Sequence, residues 1–132
     1  MHTLTIRDET TANVGQADYV ITINLTAPRL TARDLIRERV RQEVEDFNNK
    51  QPELFHGLVQ PNDTERTLHG FKFREKRSLD WKEQFEKAID GFQRNAFILL
   101  VDDLQIEDLD QVIPLSPETS VTFVKLIPLV GG

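Results

Sequence analysis

Residues 18–27, DYVITINLTA, place Tyr19, Ile21, Ile23 and Leu25 on one side of an extended chain and polar or small side chains on most of the other. A period of two is that of a half-buried strand, so this stretch must lie on a sheet with one face turned to a core. TLTI at residues 3–6 alternates in the same way. Between the two, RDETTANVGQA is polar and contains Gly15, which predicts an N-terminal β-hairpin with a generous loop. Pro28 cannot continue a ladder. TARD follows, in which Thr31 can cap a first helical turn while Asp34 reaches back to the cap. Ile36, Val40, Val44 and Phe47 then recur at helical spacing, and NNK with Pro52 ends the helix near residue 49.

Residues 50–79 carry Pro52, Gly57, Pro61 and Gly70, and read as an insertion holding at most short elements. DWKE at 80–83 predicts a second capping box, ahead of an apolar stripe of Trp81, Phe85, Ala88, Ile89 and Phe92 that ends at Asn95. AFILLV at 96–101 has the length and continuous apolarity of a central strand covered on both faces. Periodicity alone does not separate such a run from a buried helix segment, but the turn-forming Asp102 and Asp103 favour a strand ending there. After an acidic connection, SVTFVKL at 120–126 predicts a last strand with Val121 and Phe123 inward. The sequence shows no internal repeat and no low-complexity segment.

The chain's 132 residues are 39% hydrophobic and 29% charged, a length and balance that predict a single domain over 1–132 with one core. No stretch approaches the roughly 20 apolar residues that span a bilayer, and the N-terminus lacks a basic region followed by an apolar run. A cytoplasmic protein without membrane partners is expected. The absence of cysteine excludes disulfides, thiolate metal sites and a cysteine nucleophile. His2, His56 and His69 are scattered and no HExxH motif accompanies them, so no metal site is assigned. A net charge of -6 argues against nucleic acid as a partner. RTLHGFKFREKR at 66–77 interleaves Phe71 and Phe73 with cations, yet is read as an amphipathic strand with the phenylalanines inward rather than a base-stacking surface. Pairing of these cations with the acidic connection is a further option. Asp102, Asp103, Glu107, Asp108 and Asp110 lack the spacing of a calcium loop and read as solvated, with docking of a basic partner the lesser reading.

The chain closes on KLIPLVGG, and a purely structural terminus gains nothing from two bare glycines, which are costly to order and contribute no side chain. The order hairpin, helix, insertion, helix, long strand, small turn, final strand and tail resembles the β-grasp fold, an α+β class. Residues 97–132 resemble the C-terminal part of the sulfur carriers of molybdopterin and thiamine synthesis and of related bacterial ubiquitin-like modifiers. The matching features are the turn at Val101, Asp102 and Asp103, then Leu115 with Ser116, Pro117 and Glu118, and an apolar tail over 127–132. Those carriers are usually shorter and lack a counterpart of 50–79, and the turn has aspartates where glycine is common.

The resemblance implies that Gly132, with Gly131, is the conjugation or activation site. Pro128, Leu129 and Val130 would set the tail's approach to a partner. In these families an adenylating enzyme of the ubiquitin-activating type uses ATP and magnesium to activate the terminal carboxylate; the chain itself then binds no cofactor and is a protein substrate rather than an enzyme. Three functions follow as expectations. The first is a modifier conjugated to target proteins, served by an activating enzyme, a conjugating enzyme and a deubiquitinase-like metalloprotease. The second is a sulfur carrier bearing a thiocarboxylate, and the third a non-covalent β-grasp interaction module. The insertion favours the first, because a dedicated sulfur donor needs little beyond a core and a tail; apolar PLVGG leans toward the second. With nothing after Gly132, no processing step is expected.

Overall fold

The computed structural model describes residues 2–127, with the side chain of His2 left aside. The alternation of the N-terminal segments is realised in strands β1 (His2–Thr10) and β2 (Tyr19–Leu25), which pair antiparallel from His2 opposite Leu25 to Asp8 opposite Tyr19. Ile21, Ile23 and Leu25 are buried while the residues between them are exposed. Strand β1 runs four residues beyond the alternating TLTI, because the last strand pairs all of RDET and β2 pairs Arg7 and Asp8 from the other side. That extension buries the carboxylate of Asp8, an ion whose desolvation must be offset elsewhere.

A three-residue strand β3 (Arg29–Thr31) leads into helix α1 (Ala32–Lys50). The predicted capping box forms: the Asp34 N–H donates to Thr31 Oγ1 at 3.1 Å and the Thr31 N–H to Asp34 Oδ2 at 3.3 Å. Gln51, in a left-handed conformation, closes the other end two residues past the expected stop. The insertion contains three short strands, β4 (Leu54–Phe55), β5 (Thr64–Arg66) and β6 (Phe71–Phe73), in the order β4-β6-β5, with Phe71 and Phe73 inward as the alternation predicts. Phe47 of α1 stacks on Phe73 and meets Phe55 edge-on, so the insertion shares the core rather than hanging from it.

Helix α2 (Trp81–Gln93) departs from expectation in its N-terminal cap and in its buried stripe. Only half of the predicted box forms: Asp80 accepts from the Lys82 N–H at 3.1 Å, whereas Glu83 Oε1 accepts from Asn62 Nδ2 at 3.4 Å. The stripe is also rotated, with Gln84, Ala88, Gly91 and Phe92 deepest and Trp81, Phe85 and Ile89 half-buried beside them, since the insertion as well as α1 covers this helix. Asn95 does end it. With φ at 59° it lets the Asn95 N–H reach Phe92 O and the Ala96 N–H reach Gly91 O, the paired bonds of a Schellman close.

Strand β7 (Phe97–Val101) turns through Asp102 and Asp103, both left-handed, into β8 (Leu104–Ile106); β9 (Val112–Pro114) pairs with β3, and β10 (Val121–Lys125) completes the main sheet. Two successive left-handed residues make the turn whose twist suits a two-residue hairpin. The sheet order is β2-β1-β10-β7-β8, with β1 and β10 parallel and the other neighbours antiparallel. The fold is thus α+β, two helices on a mixed sheet. Strand β7 is not covered on both faces: Phe97, Leu99 and Val101 are buried, but Ile98 and Leu100 stay half-exposed, because the helices lie on one side only. Val121 and Phe123 point into the core as predicted. Among the described residues no helix is long and apolar enough to cross a membrane.

Candidate functional site

Pro128, Leu129, Val130, Gly131 and Gly132, the residues singled out for activation and tail recognition, lie outside the described residues. The described part of the site is therefore the point where the chain leaves β10. There the backbone is held from two sides. The Leu126 N–H donates to Ala96 O at 3.2 Å, the Ile127 N–H to Thr11 Oγ1 at 2.9 Å, and the Thr11 N–H returns a bond to Lys125 O at 3.0 Å. The two backbone bonds continue the pairing of β10 with β7 and β1 past Lys125, and the Thr11 hydroxyl holds Ile127 in line with them.

Beneath this exit lies a cluster of buried ions. Arg39, fully buried, makes a bidentate pair with Asp8 at 2.7 and 2.6 Å, donates from Nε to Glu43 Oε2 at 2.7 Å and approaches His56 O at 3.4 Å. Lys125 Nζ stands 3.4 Å from the same Asp8 carboxylate. Burial pushes the Asp8 carboxyl up, but Arg39 and Lys125 outweigh it and hold it below its ordinary value. For Glu43 burial wins, and its carboxyl is pushed up to about 7 against the pull of Arg39. Arg39 itself is depressed by burial and raised more strongly by its two carboxylate partners, so it stays charged. None of the three is open to a substrate; their work is positional, joining α1 to β1, the insertion and the tail root.

Sequence reasoning missed this cluster, although a signal was present. Positions 32, 35, 36, 39, 40, 43, 44 and 47 repeat at three and four residues, so Arg39 and Glu43 fall inside the apolar stripe of α1, not beside it. Charged residues four apart within a buried stripe need a buried counter-ion, and Asp8 supplies it.

A groove of about 390 Å³ opens beside the exit, between the insertion, the C-terminal half of α2 and Leu126. Leu58, Val59 and Phe71 supply apolar surface, and Arg66, Lys87 and Arg94 bring cations to it. Arg66 lies over the Phe71 ring, Lys87 Nζ donates to Asn62 Oδ1 at 2.6 Å, and Arg94 meets Asp90 at 3.5 Å on the surface. The option that the cations of 66–77 pair with the acidic connection is not realised: Arg77 donates to Asn62 O and lies over Phe73, while the acidic side meets Arg33, 3.8 Å from Asp110. Asp102, Asp103, Glu107, Asp108 and Asp110 are exposed, as a solvated connection should be.

The two described histidine side chains stand near β2. His56 stacks on Tyr19 with ring centres 4.5 Å apart, and burial, aided by Lys125, pushes its pKa down; burial also raises that of the Tyr19 hydroxyl. His69 Nδ1 lies 3.1 Å from Asp18 Oδ1. Comparison of the chain with family models, with curated proteins and with solved structures finds no match.

Proposed function

We propose that this chain is a β-grasp, ubiquitin-like protein modifier whose Gly132 is adenylated by an ATP- and magnesium-dependent activating enzyme and then joined to a target protein. The observation that carries the reading is the parallel pairing of β1 with β10 at the middle of a β2-β1-β10-β7-β8 sheet, crossed by a capped helix after the first hairpin. A β-grasp domain needs that pairing, and it puts the last strand where its continuation leaves from the sheet's centre. The sequence places Gly132 five residues beyond Ile127, a reach of up to about 17 Å if the chain is fully extended. That reach suits entry into a narrow active site, where glycine offers no Cβ to block passage.

The carboxylate of Gly132 is the reacting group. Adenylation forms a mixed anhydride with release of pyrophosphate, and attack by a thiol or amine on the carbonyl expels AMP. Proline at 128 limits the tail's freedom and lowers the entropy lost on docking. The chain's own side chains need not take part in the chemistry.

A sulfur-carrier function is the second reading, favoured by the apolar PLV before the glycines in place of a basic residue. The third, a non-covalent module, leaves Gly132 unmodified. Intact-mass analysis of the protein expressed with its neighbouring genes separates them. Higher-mass conjugates lost on deletion of Gly132 are expected. Monomer in which one terminal oxygen has become sulfur, without conjugates, would instead support the carrier, and an unmodified, fully functional truncated chain the module.

A further inference from the structure

The groove at the tail root and the β7–β8 turn are complementary in shape of charge and in apolar content. On the groove side, Arg66 and Lys87 make no ion pair among the described residues, and they flank the apolar surface of Leu58, Val59 and Phe71. On the turn side, Asp102 and Asp103 precede Leu104, which pairs with Val101 at the start of β8 and is 71% exposed, a large apolar side chain held in water beside the turn. Asp102 spends one oxygen on the Ser120 N–H at 2.9 Å, which fixes the apex against β10. The turn therefore presents two carboxylates and one apolar anchor without needing to be ordered on contact.

Strand β7 separates the two features. Ala96, which lines the groove, precedes the strand, and Asp102 follows it. Six steps along the chain at about 3.4 Å each put them about 20 Å apart, at opposite ends of the strand. A chain cannot seat its own turn in its own groove.

We propose that the groove receives the Asp102–Asp103–Leu104 turn of a second copy of this chain, with Leu104 against Leu58, Val59 and Phe71 and the two carboxylates facing Arg66 and Lys87. The contact joins different surfaces of the two copies, so it is heterologous and extends head to tail unless the rotation closes a ring. A net charge of -6 on each copy opposes association at long range, which makes the contact weak and concentration-dependent. Because Leu126 lines the groove, each contact also covers one side of a tail root. The inference does not depend on activation of Gly132.

Sedimentation velocity from low to high micromolar protein tests it, with three chains compared. The wild-type chain should sediment faster as concentration rises. A turn variant, Asp103→Asn with Leu104→Ser, and a groove variant, Arg66→Glu with Lys87→Glu, should each remain monomeric; asparagine tolerates the left-handed backbone at 103, and circular dichroism checks that both variants fold. Mixed in equal amounts, the two variants should form a dimer and nothing larger, since together they hold one intact turn and one intact groove per pair. Wild-type chain that stays monomeric throughout, either variant associating as the wild type does, or a mixture that remains monomeric would each overturn the proposal. Removing Gly131 and Gly132 should leave the association unchanged, and its loss on that deletion would also overturn it.

Discussion

Replacement of Glu43 by glutamine exposes the buried ion cluster through its pH dependence. Burial raises the Glu43 carboxyl from 4.5 to about 7, so between those values the folded chain keeps a proton that the unfolded chain has already released. Stability linked to this group is full below pH 4.5 and falls as pH rises toward 7. At about 1.4 kcal/mol per pH unit, the interval amounts to about 3 kcal/mol. A chain of this length has about 7–20 kcal/mol in total, so the loss is measurable without unfolding the protein. Two neighbours act elsewhere or in the opposite direction. Asp8, held below its ordinary 3.8, contributes stability that is present above that value and lost only at lower pH. His56, lowered from 6.5 by burial, contributes stability that grows as pH rises toward 6.5 and is complete above it. Both remain in the variant, so the difference between the two proteins isolates Glu43. Urea unfolding from about pH 4.5 to about pH 8 should show Glu43→Gln gaining about 3 kcal/mol on the parent chain. Stability profiles that run parallel across this range would refute the reasoning, and would mean that Arg39, 2.7 Å away, keeps Glu43 ionised throughout.

Phe123→Ala should cost about 3–5 kcal/mol in urea unfolding, because the ring is fully buried between Phe97 and the Arg39 guanidinium and its loss leaves a cavity. Gly57→Ala should cost about 1–3 kcal/mol, since a Cβ at 57 collides with the buried ring of Phe55; an unchanged midpoint would show that the ring has room to move. Removal of Gly131 and Gly132 should leave thermal unfolding within about 1 °C and abolish adenylate formation with the cognate activating enzyme, because terminal residues beyond the last strand contribute little to a core. A truncated chain still adenylated would count against the proposed function.

The elements that the sequence determined by itself are those governed by neighbours within a turn or two. The alternation through Tyr19, Ile21, Ile23 and Leu25, the Thr31–Asp34 cap, the stop at Asn95, the turn at Asp102 and the inward Val121 and Phe123 are all local patterns, and each is found where the pattern puts it. The diglycine, from which the functional reading starts, is likewise legible in sequence alone. What only the tertiary structure decided involves partners distant along the chain. Strand β1 extends through polar RDET because Arg39, 31 residues from Asp8, cancels a charge that would otherwise keep that segment in water. The stripe of α2 turns toward Gln84 and Gly91 because the insertion packs there. Strand β7 keeps a half-exposed face because both helices fall on the opposite side. The groove draws on residues 58–71, 87–96 and 125–126, three segments with no common local pattern. Local periodicity records which face of an element is apolar; which element covers that face, and which buried charge meets its counter-ion, depends on long-range pairing that no short window contains.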